Sequence, residues 1–332
     1  MLPETASADT QQTMAVAGDV KMLRISVMAT SDITVTGETR ADLSAQTHVV
    51  ARGYDAAEAK ASADSIKLKL ERVGDAVVVS VDRGPMTNPP VRRPPVEFVV
   101  TLKVPKGLTM RMDPHSGRIV VSQLAGAEIA GARGETRVSA IAGPLQLAHV
   151  GGPLQIDGAG SLKLNARNSR GSIKRVAGTF GLDAIGGDLA LDDVTGPLEI
   201  EARNTDLKIG GISALRPTLR VNATSGRVRI DGLRTEARID GRNTVIDVAM
   251  DTAAPVTIYN TGDSINVTTP SGGYTLDALA TDGHMTITDG NLKPSGDPDP
   301  RAAGPVRGGG ATLTLRVTRG TINVVASHTA GK

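Results

Sequence analysis

Between Leu108 and Asp289 apolar residues come in pairs with one position between them, and each pair runs into a turn of Gly, Asn, Asp or Ser. Met110/Met112, Ile119/Val121, Leu162/Leu164, Leu198/Ile200, Val228/Ile230 and Ile265/Val267 show the pattern. Side chains of a strand point to alternate faces, so period two in such short runs predicts strands. The runs recur roughly every nine residues, and their turns are of two alternating kinds. One kind carries an aliphatic residue ahead of Gly or Thr, as in Asp183-Ala184-Ile185-Gly186-Gly187 and Asp192-Asp193-Val194-Thr195-Gly196; the other is small and polar, as in Asn165-Ala166-Arg167-Asn168-Ser169 and Glu201-Ala202-Arg203-Asn204-Thr205. Two strands and two unlike corners make one coil of about nineteen residues, within the range of repeat architectures. The predicted fold is all-β: a single-stranded-type parallel β-helix, or β-solenoid, right-handed by the crossover rule.

The same reading divides the chain. Residues 1–18 are polar and are expected to be disordered behind a removed export signal. Residues 19–107 read as a β-rich cap with one short helix near 55–65, where Ala, Glu and Lys cluster behind a capping Asp55. Within this cap the segment Pro85–Pro95 reads as a stiff extended loop. The repeats occupy 108–290, a flexible loop rich in Pro and Gly 291–310, and a C-terminal strand pair 311–332 closes the end. Solenoid ends expose unpaired strand edges, so both terminal regions are expected to act as caps.

The order of these features carries a resemblance. A strand pair ends in Asp32-Ile33-Thr34-Val35-Thr36-Gly37, a mixed stretch follows, and Val104-Pro105-Lys106-Gly107-Leu108 leads into Ser116-Gly117-Arg118-Ile119-Val120-Val121 and the repeated small-residue turns. This order resembles the bacterial adhesin-like family of β-solenoid domains, a family of unknown function. The resemblance implies a cell-envelope protein, periplasmic or at the cell surface, and brings no catalytic residues with it.

Composition narrows the chemistry. The 37 basic residues nearly balance 35 acidic ones, and neither sign gathers into tracts, so there is no electrostatic footprint for nucleic acid. No apolar run is long enough to span a bilayer. The absence of Cys removes disulfides, thiol catalysis and Cys-ligated zinc. The five His show no metal-ligand spacing, and no phosphate-binding or nucleophile-elbow motif occurs, so neither metal nor cofactor is expected.

Two sets of candidate residues remain. Ser116, Asn168, Asn204, Ser225 and Asn243 hold equivalent turn positions, where short polar side chains tolerate left-handed backbone and could form a ladder along one corner. Arg167, Arg203 and Arg242 each precede one of these Asn; three guanidinium groups on one edge suit phosphate, sulfate or uronate groups of an envelope polysaccharide. A protein partner is the other expectation for such a scaffold. The enzymatic alternative is a polysaccharide hydrolase or lyase using Asp192, Asp193 or Glu199, which needs two convergent carboxylates. With only two Phe, three Tyr and no Trp, the chain offers few aromatic faces for a sugar site, and the non-enzymatic reading is preferred.

Overall fold

The computed structural model describes residues 4–28, 30–53, 55–83, 96–211 and 218–327; the Pro-rich segment 85–95 lies outside these. The chain divides into two compact units, Met1–Gly160 and Ser161–Lys332. Unit 1 contains β1 (Glu4–Ala15), β2 (Met22–Ser26), β3 (Asp32–Glu38), β4 (Asp42–Gly53), α1 (Ala56–Asp64), β5 (Ile66–Val73), β6 (Ala76–Arg83), β7 (Val96–Pro105), β8 (Thr109–Met112), β9 (Ile119–Ser122), β10 (Gly126–Arg133) and the first part of the long, bent β11 (Thr136–Val176). Unit 2 holds the remainder of β11, then β12 (Phe180–Val194), β13 (Leu198–Ile209), β14 (Leu219–Leu233), β15 (Ala237–Met250), β16 (Val256–Thr261), β17 (Ile265–Thr269), β18 (Tyr274–Thr281), β19 (His284–Ile287), β20 (Arg301–Val306), β21 (Thr312–Thr318) and β22 (Thr321–Ala326). The predicted β-solenoid is the fold observed: consecutive coils pair in parallel, and among the described residues one helix interrupts the strands.

In unit 2 the register is regular. Leu162 faces Phe180, Phe180 faces Leu198, Leu198 faces Leu219, Leu219 faces Ala237 and Ala237 faces Val256, so inward side chains stack on their equivalents one coil away. The steps of 18 to 21 residues match the coil length expected from the turns. These residues are 3% exposed or less, and each fully buried Leu or Ile contributes about 1.5–3 kcal/mol of transfer free energy. The core is built mainly of Leu, Ile, Val and Ala.

Unit 1 starts its coils earlier than residue 108. Strand β2 pairs in parallel with both β6 and β8, and β3 pairs in parallel with both β7 and β9, so the β2/β3 coil lies between two pairs that come later in the chain. Antiparallel strands close the end: β5 on β6, β4 on β7, and β1 on β4 along its whole length from Glu4↔Gly53 to Ala15↔Asp42. Residues 4–15 are therefore a strand rather than a disordered lead. Its side chains are mostly exposed, so main-chain pairing sustains it without an apolar face, which is why no alternation betrays it. Helix α1 begins where expected, with the Asp55 carboxylate accepting from the Glu58 amide at 2.8 Å and Ala59 and Ala63 buried.

The C-terminal end of unit 2 also departs from chain order. Strand β21 pairs in parallel with β16 on one side and β18 on the other; β22 does the same between β17 and β19. The final strand pair is thus an internal coil, not a terminal cap. Closing falls instead to the segment read as a flexible loop: β20 pairs antiparallel with β18 from Tyr274↔Val306 to Leu279↔Arg301. Pro305 is tolerated there because β20 needs donors on one side only. An outward amide ladder marks the inserted coil, Asn323 Nδ2 donating to Asn266 Oδ1 at 2.8 Å and Asn266 Nδ2 to Asp247 Oδ1 at 2.7 Å.

Candidate functional site

The candidate site is a corner of unit 2, and its geometry begins with backbone angles. Asn168, Gly186, Asn204, Ser225, Asn243 and Gly262 succeed one another along one corner, all with φ between 49° and 88°. Ser116 belongs to unit 1, is not left-handed, and is not part of this column. No two Asn occupy adjacent coils, so their side chains form no continuous amide ladder. They alternate with Gly186, Ser225 and Gly262, and at the two Gly the preceding Asn amide takes the room a Cβ would need. A Cβ on Gly186 would lie 2.5 Å from Asn168 Oδ1, and one on Gly262 would meet Asn243 Oδ1.

A hydroxyl completes each Asn corner. Ser169, Thr205 and Thr244 turn inward, essentially fully buried, and donate to the carbonyl oxygens of Arg167, Arg203 and Arg242 at 3.1, 2.8 and 3.0 Å. The repeated tripeptide is therefore Arg-Asn-Ser/Thr, with backbone reasons for its second and third residues. Its first residue has none. Along the same register row the intervening coils place Ile185, Thr224 and Thr261 where the others place Arg167, Arg203 and Arg242. The residues flanking Ile185 match the aliphatic corners, but the register sets it at this one, since Gly186-Gly187 is the alternate way to turn the same corner.

The three Arg are exposed, and no ion pair or side-chain hydrogen bond engages any of them. Their neighbours behave differently. Arg170 pairs with Asp188 at 2.9 Å, Arg229 with Asp231 at 3.0 Å, Arg234 with Asp251 at 2.7 Å and Arg238 with Asp240 at 2.8 Å. Adjacent coils stack about 4.8 Å apart, so Arg on every second coil present charges at a pitch of ~10 Å. Beside this edge, on the face that follows the corner, lies a groove of about 370 Å³ lined by Arg170, Asp188, Asp206, Lys208, Arg227 and Arg229.

The acidic candidates are placed elsewhere. Asp193, with φ 56°, turns the opposite corner in a column with Arg175, Gly211 and Gly232. Asp192 precedes it, and Glu199 stands on the face beyond that corner, paired in register with Gly181 and Arg220. None of the three lines the groove. Among the described residues no His, Asp and Glu cluster could hold a metal ion, and no helix is long and apolar enough to cross a membrane.

The profile of the family described as Toastrack DUF4097 matches residues 20–325. The chain belongs to that Toastrack family. The match runs through both units of this Toastrack chain, including the intercalated terminal coils, and bears out the resemblance to adhesin-like β-solenoids. No curated protein matches it. Among solved structures it is similar to a candidate cell adhesion protein from Clostridium sporogenes ATCC 15579 (8% identity, 96% of this chain and 100% of that one, TM-score 0.21). It is similar also to a candidate adhesin from Parabacteroides distasonis ATCC 8503 (10%, 96% and 97%, 0.31) and a candidate lipid binding protein from the same organism (14%, 96% and 96%, 0.28). Likenesses this distant assign no function to this Toastrack chain.

Sequence reading missed the buried hydroxyls of the corner and one exposed aromatic, Tyr259, which is 39% open to solvent. The hydroxyls were legible as the third letter of a tripeptide recurring every second coil. Tyr259 was not, because its alternation is that of any outward strand position.

Proposed function

We propose that this Toastrack protein is a non-enzymatic, extracytoplasmic binding scaffold whose Arg167/Arg203/Arg242 edge engages a polyanionic polymer of the cell envelope. The supporting observation is the contrast within one corner. Asn and Ser/Thr are accounted for by the turn, whereas Arg is exposed, unpaired and replaceable in the same row by Ile or Thr. A surface Arg with a carboxylate partner contributes little and recruits nothing; an unpartnered guanidinium keeps its fork free for bidentate contact with a phosphate, sulfate or carboxylate. Three at a fixed pitch on a rigid sheet convert weak single contacts into avidity for a repeating ligand.

An array of acidic glycans and envelope polymers, probed with the intact chain and with Arg167→Ser/Arg203→Ser/Arg242→Ser, tests this. The intact chain is expected to bind charged polymers, with affinity falling as salt rises, and the triple variant to lose at least about tenfold. A silent array, or equal binding by the variant, refutes the proposal.

A further inference from the structure

We infer that Tyr259 is the stacking platform of a saccharide subsite at the Arg242 end of this edge, which makes the polymer an acidic polysaccharide rather than a polyphosphate; the inference rests on the reading of the Arg row given above. Every other described aromatic is buried: Phe98, Phe180 and Tyr274 are 2% exposed or less. Tyr259 occupies an outward row whose other members are polar, with Asp240 one coil before it and Arg316 one coil after. Two residues along the same strand is Thr261, which pairs with Arg242, so Arg242 is the diagonal cross-strand neighbour of Tyr259.

The surroundings keep the ring fixed and its neighbourhood cationic. The Arg238 guanidinium lies over one face of the ring, 5.1 Å from its centroid, while chelating Asp240 at 2.8 and 3.1 Å, which orients the ring, leaves its other face for stacking and neutralises the nearest carboxylate. Arg316 is drawn away toward β18, donating to the Asp277 carboxylate and, at 2.7 Å, to its carbonyl oxygen. Tyr259 thus combines a held ring, an exposed surface and an unpaired cation within side-chain reach. A pyranose presents an apolar C–H face and, when it is a uronate, a carboxylate at its rim; stacking on Tyr259 with the carboxylate toward Arg242 satisfies both. A polyphosphate has no apolar face to offer the ring.

Affinities are read by isothermal titration calorimetry, because tyrosine emission would sum Tyr54, Tyr259 and Tyr274. The intact chain, Tyr259→Ala, Tyr259→Phe and the triple Arg variant are each titrated with oligogalacturonate and with inorganic polyphosphate of matched charge. Tyr259→Ala is expected to weaken oligogalacturonate roughly fivefold and leave polyphosphate unchanged, with Tyr259→Phe retaining affinity. If Tyr259→Ala binds both as the intact chain does while the Arg variant loses both, the stacking subsite is overturned and the cationic edge stands. If the intact chain binds neither polymer, the edge itself is overturned and the subsite with it.

Discussion

Both units place one coil out of chain order, and they do it from opposite directions. In unit 1 the earliest coil, β2/β3, waits to be enclosed by β6/β7 and β8/β9; in unit 2 the latest, β21/β22, enters between β16/β17 and β18/β19. The groups that tie these ends differ in kind. Unit 1 uses neutral imidazoles: His115 Nε2 contacts the Ser31 carbonyl oxygen in the loop between β2 and β3, and His149, in register through Ala132, bonds the Gly134 carbonyl at 3.0 Å. Unit 2 uses charge: the buried Asp289 accepts from Thr269, from the Tyr274 hydroxyl at 2.9 Å and from Arg307, whose guanidinium also sits 5.5 Å from the Tyr274 ring. Thr269 ends β17, Tyr274 opens β18 and Arg307 follows β20, while Asp289 itself lies after β19, so one carboxylate joins these segments. The contrast teaches that intercalation alone does not secure an end; each unit adds a polar tie whose strength depends on pH in its own way.

The hardest break is to remove the inserted coil. Truncation after Gly310 deletes Leu313, Leu315, Val317, Ile322 and Val324, all 2% exposed or less, and with them on the order of 10 kcal/mol of burial, comparable to the stability of a whole domain. Unit 2 is expected to lose its cooperative unfolding transition, followed by hydrogen exchange, while unit 1 keeps its protection; native-like protection over 219–287 in the truncated chain would mean the coil is dispensable.

A smaller break targets the ionic tie. Arg307→Ala leaves Asp289 buried and unpaired, costing about 3–5 kcal/mol, and denaturant unfolding of unit 2 should show it; a loss below about 1 kcal/mol would show that β20 is held by its ladder alone.

Acid separates the two ties. Burial pushes both imidazoles below their ordinary 6.5, outweighing the backbone hydrogen bonds and, for His115, the nearby Asp32. The folded unit therefore favours neutral His, and stability present at neutral pH falls once the unfolded chain protonates, below about 6.5, by up to ~1.4 kcal/mol per His per pH unit. For Asp289 burial alone would raise the pKa, but the hydrogen bonds from Thr269, Arg307 and Tyr274 prevail and hold it below 3.8. Its contribution is present above that value and is lost as pH falls through the still lower folded value. Hydrogen exchange at pH 5 should find unit 1 loosened before unit 2; the reverse order would overturn the distinction.

The least effect is expected at the edge itself. Replacing Arg167, Arg203 and Arg242 with Ser should move the unfolding midpoint of unit 2 by no more than the equivalent of about 0.5 kcal/mol, since exposed, unpaired side chains carry little stability. A larger loss would make the Arg part of the corner rather than its cargo.

The coils were legible because inward Leu, Ile and Val alternate with polar residues and because αL corners favour Asn and Gly, though Ser225, Asp193 and Arg175 also turn left-handed. Order along the stack was not: Thr312–Thr318 alternates like any other strand, and nothing local says that its neighbours are β16 and β18 rather than the strand before it. Strands β1 and β20 escaped for a related reason, since one lacks a buried face and the other includes Gly304 and Pro305. Of the site, the Arg and Asn were visible as a repeating phrase. That Ile185, Thr224 and Thr261 fill the same row on the intervening coils required the register.

The inserted coil has a further consequence for biosynthesis. A chain emerging from the ribosome delivers β18/β19 while β21/β22 is still unmade, and the partner already waiting in sequence is β16/β17. Those two share the alternation that lets any coil stack on any other, so direct docking is a ready wrong turn. The correct product requires that slot to stay open, or to reopen, until the last strands arrive. Unit 2 is therefore a lock whose final tumbler is cut last, and refolding should pass through a kinetic trap in which β18 has closed on β16 with Leu313 and Leu315 left outside.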